Sequence, residues 1–323
     1  ENHAMPIFYR NVMYKPGEES EDAACLKLYD GHDWKWFRAG LLHTDMEYLR
    51  RHWSGKKSSA PVLEKRHQKY FLRFSYTEEV TLSKTPVKDQ LICSVDLGIN
   101  TDAVCSIMRS DGTVLDRKFI NFPSEKDRLS HVLGRIRRFQ KEHGSKQIGS
   151  RWAYAKRLNT ELARKTARSI TEYAHENHAD VIVFEYLEMK GKISGKKRQK
   201  LHLWKKREIQ TMCEHKAHRY GIRVSRVCAW NTSRLAYDGS GPVSRDPKNH
   251  SLCVFQSGKQ YNCDLSASYN IGARYWIREI IKTLPETERS SLEAKVPAVK
   301  RRTSCVYADL LILQNEYGCS KAA

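Results

Sequence analysis

The fold of this chain is constrained most by two short apolar segments, each with an acid near its end. Residues 91–97 read LICSVDL, with Asp96 near the end, and residues 180–187 read DVIVFEYL, with Glu185 after four apolar residues. Runs this short and this apolar predict strands that are buried on both faces, as in the centre of a sheet covered by helices. A carboxylate at the end of such a strand is costly to bury unless a cation or hydrogen bonds compensate its charge.

The segments around these two strands predict a fold class. A second apolar run at 102–108 and an alternating run at 113–122 follow the first strand closely, so the three are expected to pair as an antiparallel meander. Ser124 and Asp127 form a capping pair at the start of a helix. The elements predicted after the meander are a helix from Ser124 to Gly144, a helix over 151–178, the strand at 180–187, a helix over 199–220, a strand over 221–227 and a helix over 265–284.

The predicted order is βββ, α, β, α, β, α, which is the element order of the ribonuclease-H-like fold. In that α/β fold a mixed five-stranded sheet carries helices on both faces. Residues 1–80 precede it and are dense in aromatic and charged residues with short alternating segments, which predicts a small β-rich module.

A third acid, Asp264, precedes the last predicted helix. Taken one at a time, Asp96, Glu185 and Asp264 could each be strand-end or helix-cap residues, with Ser266 competing as the cap beside Asp264. Converging at one edge of a sheet, the three would repel one another without a counter-charge. Two Mg²⁺ ions supply such a counter-charge in enzymes that hydrolyse phosphodiesters, and carboxylate oxygens suit Mg²⁺. We therefore predict a catalytic two-metal magnesium site formed by these three acids.

Three segments carry a family resemblance. SVDLGINTDAV, VIVFEYLEMKG and YNCDLSASYNIGAR resemble the three RuvC motifs of the OrfB/TnpB proteins of insertion sequences, the group from which type V CRISPR effectors descend. The third is the most specific, because it follows the pattern D-x-N-A-A-x-N-I with Ser266 in place of the usual Asn. The resemblance covers about 70–290 and places Asp96, Glu185 and Asp264 on the catalytic acids of the family.

The resemblance also implies a division of the chain. The expected parts are a partial wedge-type β-rich RNA-binding module over 1–85, the first part of the RuvC domain with its bridging helices over 86–230, a zinc-ribbon-like insertion that binds target nucleic acid over 231–262, the last RuvC motif and helix over 263–290 and a C-terminal tail over 291–323. The family's upstream helical insertion is not evident and the chain opens at Glu1, so we expect a truncated start that could be inactive. The tail is expected to be a docking helix or a partly ordered segment.

The insertion departs from the family pattern. Relatives begin their zinc ribbon with T-S-x-x-C-x-x-C-G, whereas here Thr232-Ser233 is followed by Ala236 and Gly239 at the cysteine positions. A closed zinc site needs four thiolate or imidazole ligands. The weak candidates that remain are Cys228, Cys253, Cys263 and His250. Their spacing matches no standard zinc pattern, so we predict a degenerate insertion without structural zinc.

Positive charge dominates the composition and concentrates near the acids. The chain has 57 Lys and Arg against 37 Asp and Glu, a formal net charge of +20, which favours a polyanionic partner. A tract of nine cations without an acid comprises Lys190, Lys192, Lys196, Lys197, Arg198, Lys200, Lys205, Lys206 and Arg207. The two preceding helices carry Arg135, Arg137, Arg138, Arg151, Lys156, Arg157, Arg164, Lys165 and Arg168. We predict that both sets contact nucleic-acid phosphates, although a solvated helix face or a mobile loop would look the same in sequence.

The resemblance therefore implies an RNA-guided DNA endonuclease of an insertion sequence, with guide RNA and target DNA as partners and Mg²⁺ as cofactor. Two alternatives stay open: an RNA-guided DNA-binding repressor that no longer cuts, and an unguided ribonuclease-H-like nuclease such as a junction resolvase. No run approaches eighteen apolar residues, which predicts no membrane span. Nine cysteines without a C-x-x-C pair, and no signal peptide, favour reduced thiols in a cytosolic protein. The resemblance implies a prokaryotic cytoplasmic protein associated with the nucleoid.

Overall fold

The computed structural model describes residues 7–17, 22–66, 68–144, 148–186, 205–246, 249, 251–300 and 303–322. The chain divides into two compact units, Glu1–Val80 and Thr81–Ala323. All of Lys190–Lys200, and with it the predicted helix start at 199, lies outside the described residues.

The first unit is built from short antiparallel strands around a small core. Its elements are, in chain order, β1 (Tyr14–Pro16), β2 (Ala23–Tyr29), β3 (Trp34–Gly40), α1 (His43–Trp53), β4 (Lys57–Ser58), β5 (Val62–Arg66), β6 (Lys69–Arg73) and β7 (Tyr76–Thr77). β1, β2 and β3 form a sheet in that order, β4 pairs with β7, and β5 pairs with β6. Phe8, Tyr14, Ala24 and Leu26 form its buried core.

The second unit begins with three strands and ends in helices. Its elements are β8 (Leu91–Asp96), β9 (Ala103–Arg109), β10 (Val114–Ile120), α2 (Pro123–His143), α3 (Gly149–Glu176), β11 (Val181–Tyr186), α4 (Lys206–Arg219), β12 (Arg223–Cys228), β13 (Ser244–Arg245), β14 (Leu252–Val254), β15 (Gln260–Asn262), α5 (Cys263–Thr283), α6 (Glu286–Lys295), α7 (Pro297–Lys300) and α8 (Tyr307–Ala322). The predicted mixed α/β fold is confirmed, and the order of β8 to β12 and their helices is the predicted one.

A mixed five-stranded sheet lies at the centre of this unit. Its strand order is β10-β9-β8-β11-β12. β8, β9 and β10 form the predicted antiparallel meander, and β11 runs parallel to both β8 and β12. Because parallel neighbours end at the same edge of a sheet, Asp96 at the end of β8 and Glu185 near the end of β11 lie at one edge.

Helices cover both faces of the sheet and bury two apolar clusters. On one face α5 packs against β8, β9 and β11, with Trp276, Ile277 and Ile281 almost fully buried. A Cβ at Gly272 would lie 2.4 Å from the Met108 sulfur, so the lack of a side chain there lets α5 approach the sheet closely. On the other face α3 and α4 cover the residues that alternate with the first set along the strands. This close packing fixes the start of α5, and with it Asp264, against the sheet.

One expected helix cap is wrong, and the alternative of a capping role for Asp264 or Ser266 is not observed. α2 begins at Pro123, and its cap Phe122 makes no side-chain capping hydrogen bond, so Ser124 and Asp127 form no capping box. Proline at the first helical position already fixes the backbone angle that starts a helix, which makes a polar cap unnecessary. At α5 the cap is Asn262, whose side-chain oxygen accepts a hydrogen bond from the Leu265 amide at 2.9 Å. Neither Asp264 nor Ser266 caps this helix.

Small elements complete the second unit. β13, β14 and β15 form a three-stranded antiparallel sheet within the predicted insertion, around Ala236, Cys253, Phe255 and Cys263. After α5, the helices α6, α7 and α8 continue the fold, and α8 packs against α5. Within the described residues, no helix is both long enough and apolar enough to span a membrane.

Candidate active site

The three predicted acids interact electrostatically at the carboxyl edge of the parallel strands. Asp96 is almost fully buried at the end of β8. Burial raises the pKa of its carboxyl well above the usual range, and the neighbouring carboxylates of Glu185 and Asp264 raise it further. The guanidinium of Arg245 acts in the opposite direction. The three segments therefore bring together an acidic centre whose negative charge is only partly offset.

Glu185 is held by two hydrogen bonds from other parts of the second unit. The Thr232 hydroxyl donates a hydrogen bond to its carboxylate, and the Gln210 side-chain amide donates to its backbone carbonyl at 2.9 Å. Burial raises the pKa of Glu185, whereas the Thr232 hydrogen bond and the positive charges of Arg274 and Lys206 lower it. The carboxylate is thus oriented and partly compensated, which keeps it available as a charged ligand or base.

Asp264 lies in the first turn of α5, free of a capping role. Burial raises the pKa of its carboxyl, while Arg245 and a hydrogen bond from the Thr101 side chain lower it. The loop after β8 passes close by: a Cβ at Gly98 would lie 2.5 Å from the Thr101 carbonyl oxygen and 3.8 Å from an Asp264 oxygen. Only glycine fits this approach, so Gly98 allows the loop to bring Thr101 to the carboxylate.

Arg245 is a site residue that was not predicted from the sequence. It lies on β13, exposed, and its guanidinium donates to the Ser233 carbonyl at 3.2 Å. Its charge lowers the pKa of both Asp96 and Asp264, although it is far from either in sequence. Only the fold of the small β13–β15 sheet brings it there, and no spacing rule would have found it.

Arg274 is the second site residue found only in the structure. It is almost fully buried on α5, where Nε donates to the Cys305 carbonyl at 2.9 Å and a terminal nitrogen donates to the Cys228 carbonyl at 2.7 Å. Its positive charge lowers the pKa of Glu185. Arg274 therefore joins the end of β12, the segment before α8 and the acidic centre.

The donor chemistry of the centre suits a hard divalent cation. Burial raises the pKa of Asp96, and the charges of the Glu185 and Asp264 carboxylates raise it further, so a cation at this centre would be stabilised by all three. Among the residues that the structure describes, however, no three His, Cys, Asp or Glu side chains are grouped closely enough to form a ready-made metal site. A cation would thus have to draw the carboxylates together.

The predicted nucleic-acid-binding cations fall into different environments. Arg135, Arg138 and Arg151 are exposed on α2 and α3, and the Arg151 guanidinium lies 4.4 Å from the centre of a phenylalanine ring. Lys206 is buried, next to the exposed Arg207, and burial lowers its pKa.

Lys205 bonds to the Thr160 hydroxyl at 2.7 Å and to the Glu208 carboxylate. Lys205 is therefore engaged within the fold, whereas the positive charge of Lys206 acts on Glu185. The other predicted members of the tract lie outside the described residues: Lys190, Lys192, Lys196, Lys197, Arg198 and Lys200.

The candidate zinc cysteines are only partly brought together. Cys253 and Cys263 are buried side by side, and burial together with the Cys263 contact raises the pKa of Cys253 to about 12. The Cys253 thiol donates to the Tyr261 carbonyl at 3.3 Å. Cys228 is exposed at the end of β12, and His250 lies outside the described residues. Cys253 and Cys263 act here as members of an apolar cluster.

The raised pKa of Asp96 has a measurable consequence for stability. Protonation of this carboxyl favours the folded state, so its ionised form lowers stability once the pH exceeds the unfolded-state pKa of about 3.9. We expect Asp96→Asn to be more stable than the unmodified chain at pH 7 in EDTA, and the gain to vanish as the pH falls towards that value. A gain of 1 kcal/mol would raise Tm by about 2–4 °C. Thermal unfolding followed by circular dichroism over this pH range measures it.

A matched control for this prediction is Asp102→Asn. Asp102 is also buried, but Lys126 lies 3.0 Å from its carboxylate and the Phe122 amide donates to it at 2.8 Å. Loss of that ion pair should lower Tm, in the opposite direction to Asp96→Asn. A Tm for Asp96→Asn at or below that of the unmodified chain at pH 7 would contradict the electrostatic account.

The fold and the site together define an α/β protein with an acidic centre at one edge of a mixed sheet. Comparison with known proteins then identifies its relatives. The family described as Cas12f1-like, TNB domain, matches residues 207–271, which include α4, β12 and the β13–β15 sheet. The TnpB-like protein aq_aa05 of Aquifex aeolicus is 26% identical over 247 residues, which are 69% of this chain and 79% of that protein. The resemblance to the OrfB/TnpB family is confirmed.

Two further similarities concern parts of longer proteins. The TnpB-like protein ORF457 of Acidianus two-tailed virus is 28% identical over 204 residues, which are 57% of this chain and 42% of that protein. The solved structure of the mini-RNA-guided endonuclease CRISPR-Cas_phi3 aligns with a TM-score of 0.50 at 14% identity, over 77% of this chain and 57% of that one. This structural match concerns the fold alone. The chain thus spans about half the length of each of these two proteins.

Proposed function

We propose that this protein is an RNA-guided DNA endonuclease of the OrfB/TnpB type, and that its mixed sheet is a RuvC-type domain. The observation that carries the proposal is the electrostatic interaction of Asp96, Glu185 and Asp264, one from each motif, at a single sheet edge. Buried acids without full compensation are expensive to maintain, and such groups cluster at catalytic sites.

The proposed chemistry is hydrolysis of a DNA phosphodiester. Asp96, Glu185 and Asp264 would hold Mg²⁺, which when bound supplies positive charge against the carboxylates and the scissile phosphate. Thr232 would keep the Glu185 carboxylate in one orientation, and Thr101 would do the same for Asp264. Arg245, exposed beside two of the acids, would attract the phosphate into the centre.

The proposed partners are a guide RNA and a target DNA. The family resemblance supports both, and the net charge of +20 supplies the attraction that polyanions need. The exposed Arg135, Arg138, Arg151 and Arg207 would contact backbone phosphates, while base pairing reads the sequence. The first unit would act as the wedge-type RNA-binding module, and residues 231–262 as the insertion that contacts target nucleic acid.

The test starts from nucleic acid that purifies with the protein. RNA extracted from the purified protein is sequenced, and a labelled DNA duplex matching its guide portion is incubated with the complex in Mg²⁺ or in EDTA. We expect cutting only of the matched duplex and only in Mg²⁺. Binding of the matched duplex without cutting would identify a repressor. Cutting that is unaffected by removal of RNA would identify an unguided nuclease. Either result would overturn the proposal.

A further inference from the structure

The sheet of β1, β2 and β3 in the first unit carries the core of that unit on one face and large solvent-exposed side chains on the other. Tyr14, Ala24 and Leu26 lie on the face that carries the core. Because side chains alternate along a strand, the residues between them point the other way. We call this second surface the aromatic face; its members are Lys15, Lys27, Tyr29, Trp34, Trp36 and Arg38.

Strand register sets the arrangement of the aromatic face. Tyr29 lies directly opposite Trp34, and Lys27 directly opposite Trp36, so each pair shares a side of the sheet. The Tyr29 and Trp34 rings are 5.8 Å apart between centroids. The Lys15 ammonium, on the far strand, lies 5.1 Å from the centre of a Trp36 ring. Three aromatic rings and the cations beside them thus form one continuous surface.

These rings are unusually open to solvent. Tyr29 is 57%, Trp34 50% and Trp36 41% exposed. Single exposed apolar side chains are common on proteins, but a contiguous group of large ones marks a binding surface. A position on this face of β2 does not by itself expose a side chain, because Ala23 at the other end of the same face is buried.

The charge around the rings favours a polyanion. Lys15 and Lys27 flank Trp36, and Arg38 follows on the same face. Two acids of the turn between β2 and β3 are engaged locally: Asp30 accepts from the His32 and Asp33 amides and pairs with Lys35, and Asp33 accepts from the Trp34 amide. The named members of the aromatic face thus include three cations and no acid.

We propose that the aromatic face binds unpaired RNA nucleotides, with bases stacked on Trp34 and Trp36 and phosphates held by Lys15 and Lys27. A sheet that presents two or three aromatic rings among cations is suited to stacking two or three bases of a single strand. The choice of RNA rests on the proposed function, in which RNA is the resident partner. Duplex bases are already stacked on one another and cannot cover the rings, so the face selects unpaired nucleotides.

The experiment measures binding of fluorescently labelled oligonucleotides by anisotropy, using the full chain carrying Asp96→Asn so that nothing is cut. Single-stranded RNA, DNA of the same sequence and duplex RNA are compared. We expect Trp36→Ala to weaken single-stranded RNA binding about tenfold, with a larger loss when Trp34→Ala is added. Lys15→Gln should reduce the slope of log affinity against log salt by about 1. Duplex RNA affinity should stay unchanged in the tryptophan variants.

Phe37→Ala is the matched control, because Phe37 is exposed on the same strand but on the opposite face. It should leave RNA affinity within about twofold, and Trp36→Phe should restore most of the loss, since a phenyl ring still stacks. An equal loss for Phe37→Ala, no loss for the tryptophan variants, or a larger effect on DNA than on RNA would overturn the proposal. So would a change of oligomeric state in light scattering, because it would make the face an interface between copies.

Failure of this inference and failure of the proposed function have different signatures. If Trp34→Ala with Trp36→Ala keeps full RNA affinity while the chain with Asp96 intact still cuts guided DNA, only the aromatic face is wrongly assigned. If those variants lose single-stranded RNA binding but no DNA is cut under any condition, the face binds RNA as inferred and the endonuclease assignment fails.

Discussion

Asp96→Asn is expected to abolish Mg²⁺-dependent cutting of the guided DNA target. The substitution keeps the size of the side chain and removes the most strongly perturbed charge of the acidic centre. Outer contacts to metal ligands typically cost about 10–100-fold in metal affinity or activity when removed, so loss of a proposed ligand should exceed that range. Initial rates of cleavage at saturating Mg²⁺ measure the effect, and RNA binding should be unchanged.

Asp127→Asn provides the control for this activity loss. Asp127 is an exposed acid of α2 that contributes nothing to the electrostatics of Asp96. Its substitution should leave the cleavage rate within about twofold, the range expected for a surface change away from the site. Because Asp96→Asn should also be the more stable protein in EDTA, inactivity would not reflect unfolding. Guided cutting that survives Asp96→Asn at the normal rate would refute the assignment of the centre.

Strands and acids were predictable because their signals are local. The runs 91–97 and 180–187 are too short and too apolar to be anything other than buried strands, and the antiparallel meander follows from short connections. Once β8 and β11 are parallel neighbours, Asp96 and Glu185 must end at the same edge. Asp264 required one further inference, that the last helix packs across this sheet.

The supporting residues were not predictable because they act across the fold. Thr232 appeared in sequence only as a remnant of a zinc-ribbon motif, yet its hydroxyl bonds to the Glu185 carboxylate. Arg245 reaches the acids through the pairing of β13 with β14, two strands of two and three residues. Lys206 lay within a basic tract, where composition could not separate this buried cation from an exposed neighbour such as Arg207.

Net charge and local charge have opposite signs in this protein. The chain carries a large positive excess, but in its acidic centre burial, and then the charges of Glu185 and Asp264, raise the pKa of Asp96. Arg245, Arg274 and Lys206 offset only part of this negative charge, each acting on one or two of the acids. The positive charge of the protein attracts a polyanion, and the residual negative charge of the site attracts a small cation. Phosphodiester hydrolysis requires this combination.

Arg274→Met should be the most destabilising of the substitutions considered for the site. The guanidinium is almost fully buried and donates to the carbonyls of Cys228 and Cys305, which would both lose a partner. Its charge also acts on the buried Glu185 carboxylate, so its loss is expected to approach the cost of about 3–5 kcal/mol for removing one member of a buried ion pair. Urea unfolding followed by tryptophan fluorescence should give a loss of that size. Methionine fills a similar volume, so the loss reports charge and hydrogen bonding rather than a cavity.

Arg278→Met, one turn later on α5, separates this role from a general effect of losing an arginine. Arg278 is half-buried and donates to the Arg226 carbonyl at 3.0 Å and the Ser225 hydroxyl at 2.7 Å, away from Glu185. Its loss should cost less and leave the pH dependence of cutting unchanged. Arg274→Met should raise the pKa of Glu185, because a neighbouring positive charge that favours the carboxylate is gone, and move the acid limb of the cleavage profile to higher pH. If both variants lose stability equally and neither shifts the profile, Arg274 is only a packing residue of α5.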